Sequence, residues 1–316
     1  MTRIVTAWLL VCAVVAGQPQ APARGRTMAV TIDDLPYVNA SQTEYLAHAG
    51  RATTGVLRAL AAYGAPAVGF VNEGKLWAPP REHAARVALL EQWVAAGMVL
   101  GNHTYSHPDF NGLTVAEFQR EIETGERITR RLMRPREPYQ LYFRHPMTHT
   151  GDTREKKDAI DTFLSARGYK VAPHTIENSD YLFNPHYVAA VRAQDTREAK
   201  RLADLYLDHT IKATAFAERI AVEIFGREVP QTLLIHVNDI TAATLDVMLS
   251  RFAARGYRFI TLDEAMADEA YRTKDAYVGT HGPSWLFRWA RSLGKNVSFK
   301  DDPDPPPLTR PPVGGH

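Results

Sequence analysis

The most informative segment of this chain is an apolar run that ends in two adjacent carboxylates, Met28-Ala29-Val30-Thr31-Ile32-Asp33-Asp34-Leu35-Pro36. The apolar residues predict a buried β-strand, and Pro36 predicts a break after Asp34, because proline ends the ladder and restricts the residue before it. Adjacent side chains on an intact strand point to opposite faces, so Asp33 and Asp34 share one site only if the strand breaks. A solvated acidic turn is the alternative interpretation.

Further along the chain, two histidines stand four residues apart in His103-Thr104-Tyr105-Ser106-His107. This spacing brings two ring nitrogens to one ion on a helical turn or a loop, although a chain with 12 histidines also produces such pairs by accident. Adding Asp34 completes a three-ligand site and leaves Asp33 beside it as a base. Without a thiolate, this ligand set indicates a catalytic Zn²⁺, for which Co²⁺ or Ni²⁺ can substitute. The arrangement predicts metal-assisted hydrolysis.

Short apolar runs alternate with helical patterns from Met28 to about Met266. The strand candidates are residues 28–32, 66–71, 98–100, 141–143, 169–172, 232–235 and 258–261, and the helical segments lie near 41–63, 81–96, 115–133, 154–167, 186–226 and 241–255. This alternation predicts parallel strands joined by right-handed crossovers. The segment 186–226 is longer than one crossover needs, and two helices or an inserted hairpin both fit it. Helix ends are predicted by Gly64, Gly97, Gly168 and Gly256, and a capping box by Thr114 with Glu117.

Polar residues follow the predicted strands at the point where each strand ends. Asp33 and Asp34 end the first strand and the two histidines follow the third, and the remaining strand ends are occupied by Arg144, Asp180 and His236. Because α/β barrels and open sheets place their active sites at the carboxyl ends of parallel strands, these residues are expected to form one site. A buried arginine or histidine with a purely hydrogen-bonding role is the alternative for the last three.

The composition fits a globular chain of 316 residues, since 45% of them are hydrophobic. Residues 1–24 are predicted to be a signal peptide and linker, because Arg3 precedes an apolar run, Ile4–Val15, that is too short to span a bilayer. An uncleaved anchor is the alternative. Residues 25–270 are assigned to the catalytic domain, and residues 271–316 to an extension with a disordered tail, since 301–316 contains six prolines and two glycines.

Cleavage of the signal would leave equal numbers of basic and acidic residues, 35 of each, because residues 1–24 contain Arg3 and Arg24 and no acid. This balance argues against a nucleic-acid partner. Cleavage would also remove Cys12, the single cysteine, and a mature protein without cysteine suits an oxidising exterior. We therefore expect a secreted or periplasmic protein with no stable membrane insertion after cleavage; the sequence assigns no oligomeric state.

Five motifs in a fixed order carry a family resemblance. They are Thr31-Ile32-Asp33-Asp34-Leu35-Pro36, the His103–His107 segment, Arg144-His145-Pro146, Glu177-Asn178-Ser179-Asp180-Tyr181 and Leu233-Leu234-Ile235-His236. Together they resemble the NodB-homology polysaccharide deacetylases, carbohydrate esterase family 4, over roughly residues 28–266. The resemblance implies a distorted seven-stranded (β/α) barrel and an acetylated glycan as substrate. It implies hydrolysis of linear amide C–N bonds, the removal of N-acetyl groups from an amino-sugar polymer such as peptidoglycan or a chitin-like oligomer.

The same resemblance implies a role for each site residue. Asp34, His103 and His107 would bind the metal, Asp33 would be the base, His236 the acid, and Arg144 and Asp180 would hold Asp33 and His236. A backbone N–H near Pro36 to Tyr37 would help to stabilise the charge on the carbonyl oxygen. The sequence departs from the family pattern at five positions, and these departures bear on the class of substrate more than on the reaction. The positions are Ile32, Leu35, Met147, Glu177 and Tyr181.

Three other functions fit the same residues. An O-acetyl esterase acting on a polysaccharide would depend less on His236, because its leaving group is better. A small-molecule amidase of the same fold would need a closed pocket, whereas a polymer enzyme needs an open groove with exposed aromatic residues, for which Trp77, Tyr105 and Tyr181 are candidates. A non-catalytic glycan-binding protein is the third, and the presence of both Asp33 and His236 argues against it.

Overall fold

The structure, a computed structural model, describes residues 25–38 and 44–308. Within these residues the strands are β1 (Thr27–Leu35), β2 (Ala67–Val71), β3 (Trp77–Ala78), β4 (Arg81–Glu82), β5 (Val99–Asn102), β6 (Leu141–Phe143), β7 (Tyr169–Val171), β8 (Ile176–Glu177), β9 (Gln231–His236) and β10 (Arg258–Phe259). The helices are α1 (Tyr45–Ala62), α2 (Ala84–Ala95), α3 (Val115–Thr124), α4 (Arg127–Met133), α5 (Arg154–Ala166), α6 (Asp180–Arg192), α7 (Thr196–Phe225), α8 (Asp239–Ala254), α9 (Leu262–Met266) and α10 (Trp285–Ser292).

The main sheet is parallel throughout and has the strand order β7-β6-β5-β2-β1-β9-β8, with β10 beside the start of β1. It curls into a half-barrel with helices outside it, and this confirms the predicted distorted seven-stranded (β/α) barrel. β1 lies at its centre and pairs with β9 from Met28↔Gln231 to Asp33↔His236. This register places the ends of β1 and β9 side by side, with Asp33 next to His236.

The central strands are buried along almost their whole length, which explains why they read as apolar runs in the sequence. Helices α1 and α8 pack together outside them and contribute Val56, Leu60, Leu245 and Phe252 to the main core. The four glycines predicted at helix ends all adopt positive φ, and Thr114 and Glu117 form the predicted capping box. These local signals are confirmed.

Every predicted strand is present, with ends shifted by a few residues, but three further strands were missed. β8 is two residues long, and β3 and β4 form a small antiparallel hairpin just before α2. The segment 115–133 is two helices, α3 and α4, which separate at Gly125 and Glu126. The segment 186–226 is also two helices, α6 and α7, and α6 begins earlier than predicted, at Asp180.

The predicted signal peptide and the end of the predicted tail, residues 309–316, lie outside the described residues. Among the residues that are described, no helix has the length and apolar character needed to cross a membrane. After residue 271 the structure contains a helix that the sequence did not predict, α10, whose Trp285, Leu286 and Trp289 are buried in the main core. The domain boundary at residue 270 stays a prediction, although the chain beyond it packs on the barrel.

Candidate metal centre and catalytic site

A bulge in β1 brings Asp33 and Asp34 into the same site. The pairing of β1 with β2 shifts between Ile32 and Leu35, and Asp34 adopts a left-handed conformation with φ 70°. Nε2 of His103 therefore lies 3.7 Å from Asp33 Oδ2 and 4.0 Å from Asp34 Oδ1. The sequence analysis expected the strand to break after Asp34, but the strand continues through Leu35, which pairs with Val71. Instead, the extra residue of the bulge turns the Asp34 side chain to the same side as the Asp33 side chain.

The segment His103–His107 is a loop with two left-handed residues, Thr104 at φ 68° and His107 at φ 59°. Side chains hold this shape, since Asn102 Oδ1 accepts a hydrogen bond from Thr104 N at 2.7 Å and Thr104 Oγ1 accepts one from His107 N at 3.1 Å. Gly125 allows the loop to pack against α3, because a Cβ there would lie 2.5 Å from the Thr104 carbonyl carbon. The loop folds the two imidazoles towards each other, with ring centroids 4.9 Å apart.

Asp34, His103 and His107 form a cluster of the kind that holds a divalent metal. Their ligand atoms all lie within 4.8 Å of one another, and His107 Nε2 is 3.7 Å from Asp34 Oδ1. Nδ1 of His103 donates to the carbonyl oxygen of Arg144 at 2.7 Å, so its Nε2 is free to ligate. Among the described residues, neither the buried Oδ1 of Asp34 nor that of Asp33 accepts a hydrogen bond, so each carboxylate keeps an oxygen for a ligand.

Electrostatics put these three side chains in the protonation state that a metal needs. Burial lowers the pKa of both His103 and His107, so the imidazoles are neutral. Burial also raises the pKa of Asp34, but nearby cations, chiefly the Lys75 ammonium, outweigh it and hold that pKa well below its usual range. A deprotonated carboxylate with two neutral imidazoles is a suitable ligand set for a divalent metal ion.

Lys75 is a residue of the site that the sequence analysis missed. It follows β2 at the same edge of the sheet, and its Nζ donates to the Asp34 carbonyl oxygen at 3.1 Å and lies 3.4 Å from Asp34 Oδ1. Its position after a strand was the only available signal. Because two carboxylates converge here, its ammonium and the Arg144 guanidinium reduce the repulsion between them.

Arg144 lies directly behind Asp33. The guanidinium is fully buried, with Nη1 3.5 Å from Asp33 Oδ2 and Nη2 donating to Thr31 Oγ1 at 2.9 Å. Its face also covers the Phe70 ring at 4.9 Å. Burial raises the pKa of Asp33 and Arg144 opposes that rise only in part, which leaves a carboxylate more basic than Asp34. A more basic carboxylate suits a proton acceptor better than a ligand.

His236 and Asp180 form a tightly bonded pair at the end of β9. His236 Nδ1 donates to Asp180 Oδ1 at 2.7 Å, and the backbone N–H of His236 donates to Oδ2 at 2.7 Å. Asn238 and Thr241, which the sequence analysis missed, also donate to Oδ2, each at 3.1 Å. Burial lowers the pKa of His236, but Asp180 outweighs it and raises that pKa to about 10. The ring is therefore a cation at neutral pH.

The residues without an assigned role lie around this centre. Glu73, which follows β2, accepts hydrogen bonds from Ile128 N and Thr129 N at the start of α4. His145 packs between Phe118 and Phe143, His149 pairs with Asp109, and His174 packs against Trp285. Tyr181 is 56% exposed with its ring 6.4 Å from that of His236, and Met147 is 47% exposed. These two side chains offer an apolar rim.

Backbone strain is concentrated in this region. Seven described non-glycine residues have positive φ, and six of them lie in the loops or the bulge at the carboxyl ends of the strands: Asp34, Thr104, His107, Met147, Thr148 and Ser179. Such conformations cost about 1 to 3 kcal/mol each and persist where the surrounding structure fixes them. The clustering is typical of a functional site.

A comparison with models of protein families bears on the resemblance carried by the sequence motifs. The family model for polysaccharide deacetylase matches residues 20–159, which contain the first three motifs. The match over residues 20–159 confirms the resemblance to polysaccharide deacetylases. The fourth and fifth motifs lie beyond the matched segment, and the structure brings them to the same site through Asp180 and His236.

Solved structures agree on the fold. One is a mutant, with restored enzymatic activity, of BA3943, a family 4 pseudoenzyme from Bacillus anthracis: identity is 19%, coverage is 77% of this chain and 68% of that chain, and the TM-score is 0.52. Another is the Bc1960 peptidoglycan N-acetylglucosamine deacetylase, with 17% identity, coverage of 76% and 87%, and a TM-score of 0.50. At these identities the likeness concerns the fold alone. No curated protein matches the chain significantly.

Proposed function

We propose that this chain is a secreted or periplasmic, zinc-dependent hydrolase that removes N-acetyl groups from an amino-sugar glycan such as peptidoglycan or a chitin-like oligomer. One observation carries the proposal: at the β1 bulge a second carboxylate, Asp33, lies beside the Asp34, His103 and His107 cluster and next to His236. A base, a metal-type ligand set and an acid in one site are what amide hydrolysis requires.

Asp34, His103 and His107 would hold the ion, with Co²⁺ or Ni²⁺ as substitutes for Zn²⁺. When bound there, the ion supplies a Lewis acid for the acetyl carbonyl and lowers the pKa of a water molecule. Asp33 takes the proton of the attacking water, and Arg144 keeps that carboxylate in place. The backbone N–H of Tyr37 is the donor that we assign to the charge developing on the carbonyl oxygen.

The amine leaves as His236 gives it a proton. Its Nδ1 is occupied by Asp180, so Nε2 is the nitrogen that carries the transferable proton. The exposed Tyr181 and Met147 support a polymer as substrate, because an open apolar rim accommodates sugar rings whereas a small-molecule amidase needs a closed pocket.

Acetate release from a panel of N- and O-acetylated sugars, with chelator and with added Zn²⁺, tests the proposal. We expect release from N-acetyl-glucosamine oligomers or peptidoglycan that chelator abolishes and Zn²⁺ restores. Release from O-acetyl sugars alone would favour the polysaccharide esterase, and release from small amides alone the amidase. Glycan binding without any acetate release would indicate a non-catalytic glycan-binding protein.

The metal cluster leads to a prediction about metal content. Purified protein should hold about one divalent ion per chain, and His103→Ala should lose it, because the remaining two ligands cannot close the site. Elemental analysis after dialysis measures this, with His281→Ala, an exposed histidine, as the control that keeps the ion. A His103→Ala, His107→Ala double mutant that retained stoichiometric metal would refute the assignment.

The Asp180 pair leads to a prediction about pH. Activity needs His236 protonated, and since Asp180 raises its pKa to about 10, loss of the His236 proton should lower the rate only at alkaline pH. Asp180→Asn removes the opposing charge and should move this alkaline limb down by about 1 to 3 pH units, the usual effect of a carboxylate at this distance. Rates from pH 5 to 11 measure it, with Asp246→Asn, an exposed residue of α8, as control. If the alkaline limb of the pH–rate profile does not move in a folded Asp180→Asn protein, the group that titrates there is not His236.

A further inference from the structure

Arg288 is a fully buried arginine on α10, far in sequence from the motifs. Its Nη2 donates to the Thr148 carbonyl oxygen at 2.8 Å, and its Nη1 donates to Thr150 Oγ1 at 2.8 Å and to Asp275 Oδ2 at 3.0 Å. Nε donates to the Pro283 carbonyl oxygen at 2.9 Å. A guanidinium buried this deeply is stable only when its donors are satisfied, and here they are used to join two segments of the chain.

One of those segments is the loop that follows β6, residues 144–151, which begins with Arg144. Met147 and Thr148 in this loop are both left-handed, with φ 53° and 54°, a conformation that needs outside support. Besides Arg288, that support includes Gly282, whose carbonyl oxygen accepts a hydrogen bond from Thr148 Oγ1 at 2.7 Å. A Cβ on Gly282 would lie 2.0 Å from the Met147 carbonyl oxygen, so the two backbones are in direct contact.

The same C-terminal segment, residues 275–289, also contacts the loop after β7. Trp285 N donates to the His174 carbonyl oxygen at 2.9 Å, and the two rings pack edge to face with centroids 5.4 Å apart. The neighbouring Pro173 carbonyl oxygen lies 3.4 Å from Nη2 of Arg144. Residues 275–289 therefore hold the loops on both sides of Arg144.

We propose that Arg288 is a positioning residue of the active site. By fixing residues 144–151 in their strained shape, it sets Arg144 against Asp33 and places Met147 at the rim. The functional unit would then extend to residue 289, beyond the predicted boundary at 270. This inference rests on the proposed function for its kinetic consequence, but the fixing of the loop does not depend on any substrate.

Hydrogen exchange and kinetics on Arg288→Met test the proposal, with Arg291→Met, an exposed arginine of the same helix, as the matched control. In Arg288→Met, amide exchange in residues 145–151 should rise by about tenfold or more while β1 and β9 stay protected. The kcat per metal-loaded chain should fall about tenfold with a smaller change in KM, because a misplaced base impairs the chemical step. Arg288→Lys should restore part of both.

Thr150→Val is the milder variant, since it removes one acceptor of Arg288 and keeps the shape; it should shift both measurements in the same direction by less. Unchanged exchange in residues 145–151 of a folded Arg288→Met protein would overturn the positioning role, as would a loosened loop with an unaltered kcat. Acetate release by the wild-type protein tests the proposed function, whereas loop exchange needs no substrate, so the two failures are distinguishable.

Discussion

Replacing His236 by alanine should reduce the hydrolysis of an N-acetyl sugar by about 10²- to 10⁴-fold, the usual contribution of a general acid. The amine of an amide must be protonated as the C–N bond breaks. His236 is suited to that step, because Asp180 binds its Nδ1 and keeps the ring cationic. An aryl acetate releases a stable phenolate that needs no proton, so the same variant should lose much less activity on that substrate. Steady-state kinetics on both substrates measure the difference.

The alanine variant leaves the buried Asp180 with one donor fewer, which can destabilise the protein. His236→Asn is therefore the matched variant, since its amide nitrogen can donate to Asp180 in place of Nδ1 but carries no transferable proton. It should fold like the wild type and show the same selective loss on the N-acetyl sugar. Equal losses on both substrates would show that His236 is not the acid and would favour the esterase.

The fold was predictable because its signals are local. The central strands are buried on both faces, so β1, β2 and β9 appear in the sequence as unbroken apolar runs. Helix ends were equally clear at Gly64 and Gly97, where the backbone needs positive φ. β8 and the hairpin of β3 and β4 have two residues in each strand, too few for any periodicity to be visible.

The sequence predicted that the residues of the candidate site lie together, but it did not predict the shape of the backbone that brings them together. The motifs named Asp33 and Asp34, but the bulge that unites them depends on the pairing of β1 with β2, which no local pattern encodes. Lys75 and Arg288 were missed for a related reason. Lys75 contacts Asp34 and Arg288 contacts Thr148, and each of these partners is distant in sequence. Neither Lys75 nor Arg288 lies in one of the motifs.

Substitutions of the two carboxylates of the bulge, made one at a time, should separate the loss of catalysis from the loss of metal binding. Asp33→Asn should keep the fold and the metal but lower kcat by about 10²-fold or more, the typical scale for a lost general base. The amide can still accept a hydrogen bond from Arg144, so the buried guanidinium keeps a partner. Metal content and kcat measured on the same preparation test this.

Asp34→Asn is the matched control for that experiment, because it makes the same change at the neighbouring residue of the bulge. Asp34 lies within the ligand cluster, so replacing its carboxylate by an amide should abolish metal binding and activity together. Opposite behaviour of the pair, with metal lost in Asp33→Asn and kept in Asp34→Asn, would mean that the two carboxylates have exchanged roles. The bulge would still unite them, but the base would then be the carboxylate beside Lys75 and the ligand the one in front of Arg144.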